Sequence, residues 1–190
     1  MRTRNTKDSN ENTRDLIQSK CFECLVEQGL EKATTRIFGA ATGLSNSSLY
    51  YWFKDKDDII LNSTMYGINS IIENLFADAY TYLNDIDVLF EVLPKSVLNY
   101  KKQLRLVYQV LTSPQYGDKL REIQEGLPLA YNSYAKVLAD RLGCQYKDLR
   151  PFVQLFISTM TNYILWEDKI KMDSQLSEIH SRVKMLVSSN

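Results

Sequence analysis

The chain has 190 residues, 44% of them hydrophobic and 24% charged, and its 23 Lys and Arg balance 23 Asp and Glu for a formal net charge of zero. Such a length suits one domain, or a small module fused to a larger one, and the composition excludes a disordered chain. No apolar run reaches the ~18–20 residues of a membrane span, the N-terminus lacks a signal-peptide stretch, and the single histidine, His180, leaves little for acid–base chemistry.

The expectation is therefore a soluble, cytoplasmic protein that is not an enzyme and needs no cofactor or metal. Three cysteines do not make an even disulfide framework, which agrees with a reducing compartment. A neutral total gives no support for nucleic-acid binding, although charge distribution matters as much as its sum. Residues 1–56 hold nine Lys and Arg against seven Asp and Glu, and residues 57–190 hold fourteen against sixteen.

Apolar residues recur at helical spacing almost everywhere, and sustained alternation is absent, so the pattern predicts an all-α chain of about nine helices. Residues 1–12 are polar, with Arg2, Arg4 and Lys7 forming a basic arm. The first helix is expected over 13–28, with Ile17, Cys21, Cys24 and Leu25 on one face and Gly29 as its stop. Two short helices follow, 35–42 and 46–52. Asp55 caps a long fourth helix reaching about Leu83, and Asp58 favours its positive end. Asn84-Asp85 opens a helix through Pro94 to about Lys102, and a short one spans Leu104–Leu111. Ser113-Pro114 starts a long segment to Arg141, bent at Gly126 and Pro128. After the turn at Gly143, Asp148 and Pro151 start a helix to about Glu167, and Asp173 caps the last one, to about Val187.

The most informative stretch is Thr34 to Phe53. Gly39 supplies a small contact between two helices, Gly43 a turn residue suited to positive φ, and Phe38, Leu44 and Leu49 an apolar bracket. Ser45 sits where an N-cap belongs, which leaves Asn46, Ser47 and Ser48 at the exposed start of the second helix. This is the pattern of a helix-turn-helix, whose second helix enters the major groove.

With Thr34-Thr35, Gly43-Leu44-Ser45 and the run Ser48-Leu49-Tyr50-Tyr51-Trp52-Phe53-Lys54-Asp55-Lys56-Asp57-Asp58, the chain resembles the TetR family of bacterial transcriptional regulators. The motif covers residues 13–60. Gly39 departs from the family's usual Ala, which keeps the contact small at a cost of ~1 kcal/mol in helix propensity. The resemblance implies a DNA-binding domain over 1–55, a ligand-binding and dimerisation domain over 56–190, and a homodimeric repressor on a palindromic operator of double-stranded DNA. It places Thr35, Ser48, Tyr51 and Lys56 at phosphates and Arg36, Asn46, Ser47 and Tyr50 at base edges, with Ser45 beside them. These residue types have the chemistry for it: hydroxyls and Lys hold phosphates, Arg reads guanine and Asn adenine. Tyr50 and Tyr51 also suit a packed three-helix core, and Phe53 is better suited to one than to DNA.

Cys21-Phe22-Glu23-Cys24 spells C-x-x-C, but a zinc site needs two more ligands, and only Cys144 and His180 remain. Buried small residues are the simpler reading. Near the C-terminus, Leu149, Phe152, Val153, Phe156, Ile157, Met160 and Ile164 form one apolar stripe, and Leu176, Ile179, Val183 and Leu186 another. The resemblance makes Phe152, Phe156, Met160, Leu176, Ile179, Val183 and Leu186 a dimer interface; an intramolecular core is the alternative. Tyrosines are dense between these helices and the head. With their flat body and polar tip, Met65, Tyr66, Tyr100, Tyr108, Tyr131, Tyr134, Tyr163 and Trp166 suit a pocket for a small aromatic or lipophilic effector, although tyrosines also fill ordinary cores. The competing function is a helical ligand-binding or scaffold protein that has lost specific DNA binding.

Overall fold

The computed structural model describes the backbone of residues 4–123 and 127–188, and the side chains of these except 4–9, 127–131 and 133. Among the described residues it contains ten α-helices and a 3-10 turn, Leu30–Lys32: α1 Arg4–Gln28, α2 Thr35–Thr42, α3 Asn46–Trp52, α4 Lys56–Thr81, α5 Ile86–Asn99, α6 Lys101–Thr112, α7 Gly117–Ile123, α8 Leu127–Arg141, α9 Tyr146–Trp166 and α10 Lys169–Ser188. The all-helical expectation holds. No described helix is long and apolar enough to cross a membrane.

Several boundaries differ from the expected ones: α5 ends at Asn99 rather than about Lys102, its last turn closed by the Tyr100 N–H on the Val97 carbonyl at 3.1 Å, and α6 spans Lys101–Thr112 rather than Leu104–Leu111. α1 begins at Arg4 rather than residue 13, because no Gly or Pro interrupts the polar stretch before Gly29. Arg4 and Lys7 thus lie on α1 by their backbone; Arg2 and the side chains of the proposed arm lie outside the described residues. The segment 113–141 carries α7 and α8, with Pro128 among the first residues described for α8; the bend expected at Gly126 lies outside the described residues. α9 starts at Tyr146, which puts Pro151 in its second turn. α10 starts at Lys169, because Asp168 accepts the Lys171 N–H at 3.0 Å and takes the capping role expected of Asp173. This earlier start adds buried Met172 to the apolar stripe.

The chain divides into two compact units, residues 1–71 with 102–124, and residues 72–101 with 125–190. In the first, α1 buries Ile17, Cys21, Phe22, Cys24 and Leu25, and the core continues through Phe38, Leu49, Phe53, Ile59 and Ile60. The Phe22 ring lies over Gly67 of α4, where a Cβ would come within 2.3 Å of it. In the second, Ala139, Cys144, Leu149, Ile179 and Val183 form a core, with Phe90, Phe152, Val153 and Leu186 packed against it. Glu167, at φ 59°, ends α9 in the left-handed region.

Candidate nucleic-acid interface

The helix-turn-helix is closed by local chemistry. Thr34 caps α2, its hydroxyl accepting the Ile37 N–H at 3.3 Å. Gly43, at φ 74°, turns the chain where a side chain would be strained, and both its N–H and that of Leu44 donate to the Gly39 carbonyl, at 2.9 and 3.2 Å. The Leu44 carbonyl folds back so far that a Cβ on Gly39 would lie 2.8 Å from its oxygen. Gly39 is thus required by a close backbone approach, beyond the small helix contact expected of it. Thr42 Oγ1 closes the last turn, donating to the Phe38 carbonyl at 2.8 Å.

Ser45 caps α3. Its Oγ accepts the Ser48 N–H at 3.1 Å and lies 2.8 and 2.9 Å from the hydroxyls of Ser47 and Ser48. One proton and two lone pairs are all that a hydroxyl has, so these three contacts saturate Ser45. Leu49 and Phe53 are buried and fix the rotation of α3. Helical periodicity then turns Ser47, Tyr50 and Tyr51 outward, and Tyr51 is 77% exposed. The Tyr51 ring meets Trp52 edge-on at 5.1 Å, and both line a shallow cleft with Ser47 and Ser48. Arg36 and Asn46 are exposed, Thr35 and Lys56 half-buried. The nine residues singled out thus come together around one helix-turn-helix, with Lys56 just beyond it as the first residue of α4.

The start of α4 is fixed twice over. Asp55 accepts the Asp58 N–H at 2.8 Å, and Asp58 accepts the Lys54 N–H at 2.9 Å, a reciprocal cap. Asn62 donates to Asp58 at 2.7 Å, and the Arg14 guanidinium stands 5.7 Å over the Phe53 ring. One residue along, Asp57 accepts the Tyr116 hydroxyl at 3.1 Å and the Gln115 amide at 3.3 Å, with Lys119 at 3.5 Å. Burial alone would raise the Asp57 carboxyl, but these donors outweigh it and hold it below the usual range. Burial, and next the charge of Asp57, push Tyr116 up to about 12. Sequence reasoning missed this cluster, whose members lie 58 and 59 residues apart with no local signal joining them.

The cysteines of C-x-x-C are reduced and buried on α1. Burial pushes the Cys21 thiol up to about 12 and raises Cys24 as well. Among the described residues no group of three or more His, Cys, Asp or Glu is placed to hold a metal.

The aromatic set is distributed over both units. Met65, Tyr66 and Tyr108 belong to the first and are half-buried; Tyr100, Tyr134, Tyr163 and Trp166 belong to the second. Tyr134 stacks on Phe76 at 3.6 Å, Lys101 stands over Tyr163 at 5.5 Å, and Trp166 is exposed at the end of α9. The Tyr131 side chain lies outside the described residues. Of the residues assigned to a dimer interface, Met160, Ile179 and Val183 are buried within the chain's own second unit, whereas Phe152, Phe156, Leu176 and Leu186 are half-buried. The exposed apolar side chains of α9 and α10 include Leu155, Leu165, Trp166 and Ile170.

No protein-family model matches the sequence, and neither does any curated protein. Solved structures do. The fold is similar to that of a TetR transcriptional regulator from Rhodococcus sp. RHA1, at 11% identity, over 93% of this chain and 97% of the other, with a TM-score of 0.55. It is similar as well to the fatty acid degradation regulator FadR from Bacillus halodurans, at 15% identity, over 90% and 93% of the two chains, with a TM-score of 0.55. The chain thus shares the all-helical fold of TetR-type transcriptional regulators.

Proposed function

We propose that the chain is a TetR-like transcriptional repressor that binds a palindromic operator as a homodimer and is released by a small effector. The observation that carries this reading is the outward face of α3: a short helix rotated by buried Leu49 and Phe53 so that only hydroxyl, amide and aromatic side chains look out. Thr35, Ser48, Tyr51 and Lys56 hold phosphates, and Arg36, Asn46, Ser47 and Tyr50 face base edges. Ser45 contributes by capping the helix that presents them. The DNA-binding domain is residues 1–55, with residues 56–190 serving dimerisation and effector binding.

The small basic excess of residues 1–56 supports binding of modest strength per subunit, made tight by pairing two half-sites. Leu155, Leu165, Trp166 and Ile170 support a dimer surface on α9 and α10, backed by buried Met160, Ile179 and Val183. The density of tyrosine beyond residue 56 supports an aromatic or lipophilic effector, which acts through its differential affinity for two spacings of the heads. Electrophoretic shift of a duplex carrying the region upstream of the coding gene tests the reading. A salt-sensitive shift competed by one palindrome is expected. Absence of any shift at low salt would leave a helical ligand-binding or scaffold protein instead.

A further inference from the structure

Between Arg36 and Lys54 no side chain is charged. Guanine offers two acceptors in the major groove, N7 and O6, and the side chains that pair with both are Arg and Lys. α3 has neither. Ser45 is saturated by its own neighbours, and the Ser47 hydroxyl shares one of those contacts. Asn46 is exposed and presents a donor and an acceptor side by side, the complement of adenine N7 and N6. Tyr50 is 47% exposed and offers an apolar ring; thymine alone carries a methyl on its major-groove edge. Four residues apart, Asn46 and Tyr50 share one side of α3 with a rise of about 6 Å between them. That is close to two base-pair steps of ~3.4 Å.

From this face we infer that α3 selects an adenine and a thymine at two fixed positions of each half-site: Asn46 pairs bidentately with the adenine, and Tyr50 packs on the C5 methyl of the thymine about two steps away. The inference rests on the proposed DNA-binding function and specifies which operators it takes. A guanine read by a charged fork falls to Arg36, on α2, outside this pair of positions.

Selection of the full chain against a pool of randomised duplexes tests it. The expected winners are palindromes with an adenine and a thymine at two fixed positions of each half-site. Replacing that thymine by uracil, which removes only the methyl, weakens binding about fourfold, the value of one buried methyl group. Tyr50→Ala removes this thymine–uracil difference, and Asn46→Ala relaxes the adenine preference about fivefold or more. Both side chains are exposed, and unchanged thermal melts verify that each variant is folded. Guanine or cytosine at both positions, or uracil duplexes bound as tightly as thymine ones, would overturn the inference and leave the DNA-binding function standing. Enrichment of no sequence by the folded protein would overturn both.

Discussion

Replacing Tyr116 with Phe deletes one hydroxyl from a buried ring and leaves its packing in place. The hydroxyl lost is the donor to Asp57 in the first turn of α4. Hydrogen bonds to charged groups contribute about 1.5–3 kcal/mol. Asp57 retains Gln115 and Lys119 and is 27% exposed, so the loss falls around the lower end of that range, about 1–2 kcal/mol. For a chain of this size each kcal/mol moves Tm by about 2–4 °C, and calorimetry at pH 7 should record a fall of about 2–8 °C. The dependence on pH carries a sign at each end. The Asp57 carboxyl is held below its usual value, so its contribution is present above the ordinary pKa of about 3.9 and lost as pH falls through the folded value. Tyr116 is raised to about 12, so its contribution is present below the ordinary pKa of about 10 and lost as pH climbs to about 12. The gap between wild type and Tyr116→Phe should stay level near neutrality and close at both extremes. A Tm within about 1 °C of wild type at pH 7, or a gap unchanged at pH 3, would refute this account of the junction.

Gly39→Ala sets helix propensity, about 1 kcal/mol in its favour, against a Cβ 2.8 Å from the Leu44 carbonyl oxygen. Backbone must shift to admit it, at about 1–3 kcal/mol, so Tm should fall; a clear rise would show that the turn has slack. Cys21, buried and with its thiol pushed up to about 12, should resist alkylation in the native protein at pH 8 and react at once in denaturant; rapid native labelling, or DNA affinity that drops under mild oxidant, would reopen a redox role. Trp166→Glu puts a charge on the proposed dimer surface, where burial of an unpaired carboxylate is costly. Sedimentation at micromolar concentration should show the dimer weakened at least tenfold, and an unchanged dimer would place the interface elsewhere.

What could be read from the sequence was the chemistry that acts over a few residues. α2 and α3 have their expected bounds because Thr34, Gly43 and Ser45 are start and stop signals for the backbone beside them. α10 starts at Lys169 rather than after Asp173 because both aspartates are competent caps and the chain places Asp168 on the Lys171 N–H, which a local pattern does not distinguish. Periodicity identified the apolar stripes of α9 and α10 without saying what covers them: Ile179 and Val183 turn out to face their own chain's core. The requirement for Gly39 and the Asp57–Tyr116 junction both depend on backbone or side chains brought close by the turn or by tertiary packing, and neither has a local signature.

In the proposed function, α3 and its flanks form a DNA-binding surface of modest charge. Fluorescence anisotropy of the selected palindromic duplex, titrated with the full chain over a series of salt concentrations, tests it most directly. Saturable binding that weakens steadily with salt is expected, with a slope that becomes shallower by about one phosphate contact per subunit in Lys56→Ala. Binding that ignores salt, or a Lys56→Ala protein indistinguishable from wild type in both affinity and slope, would contradict it.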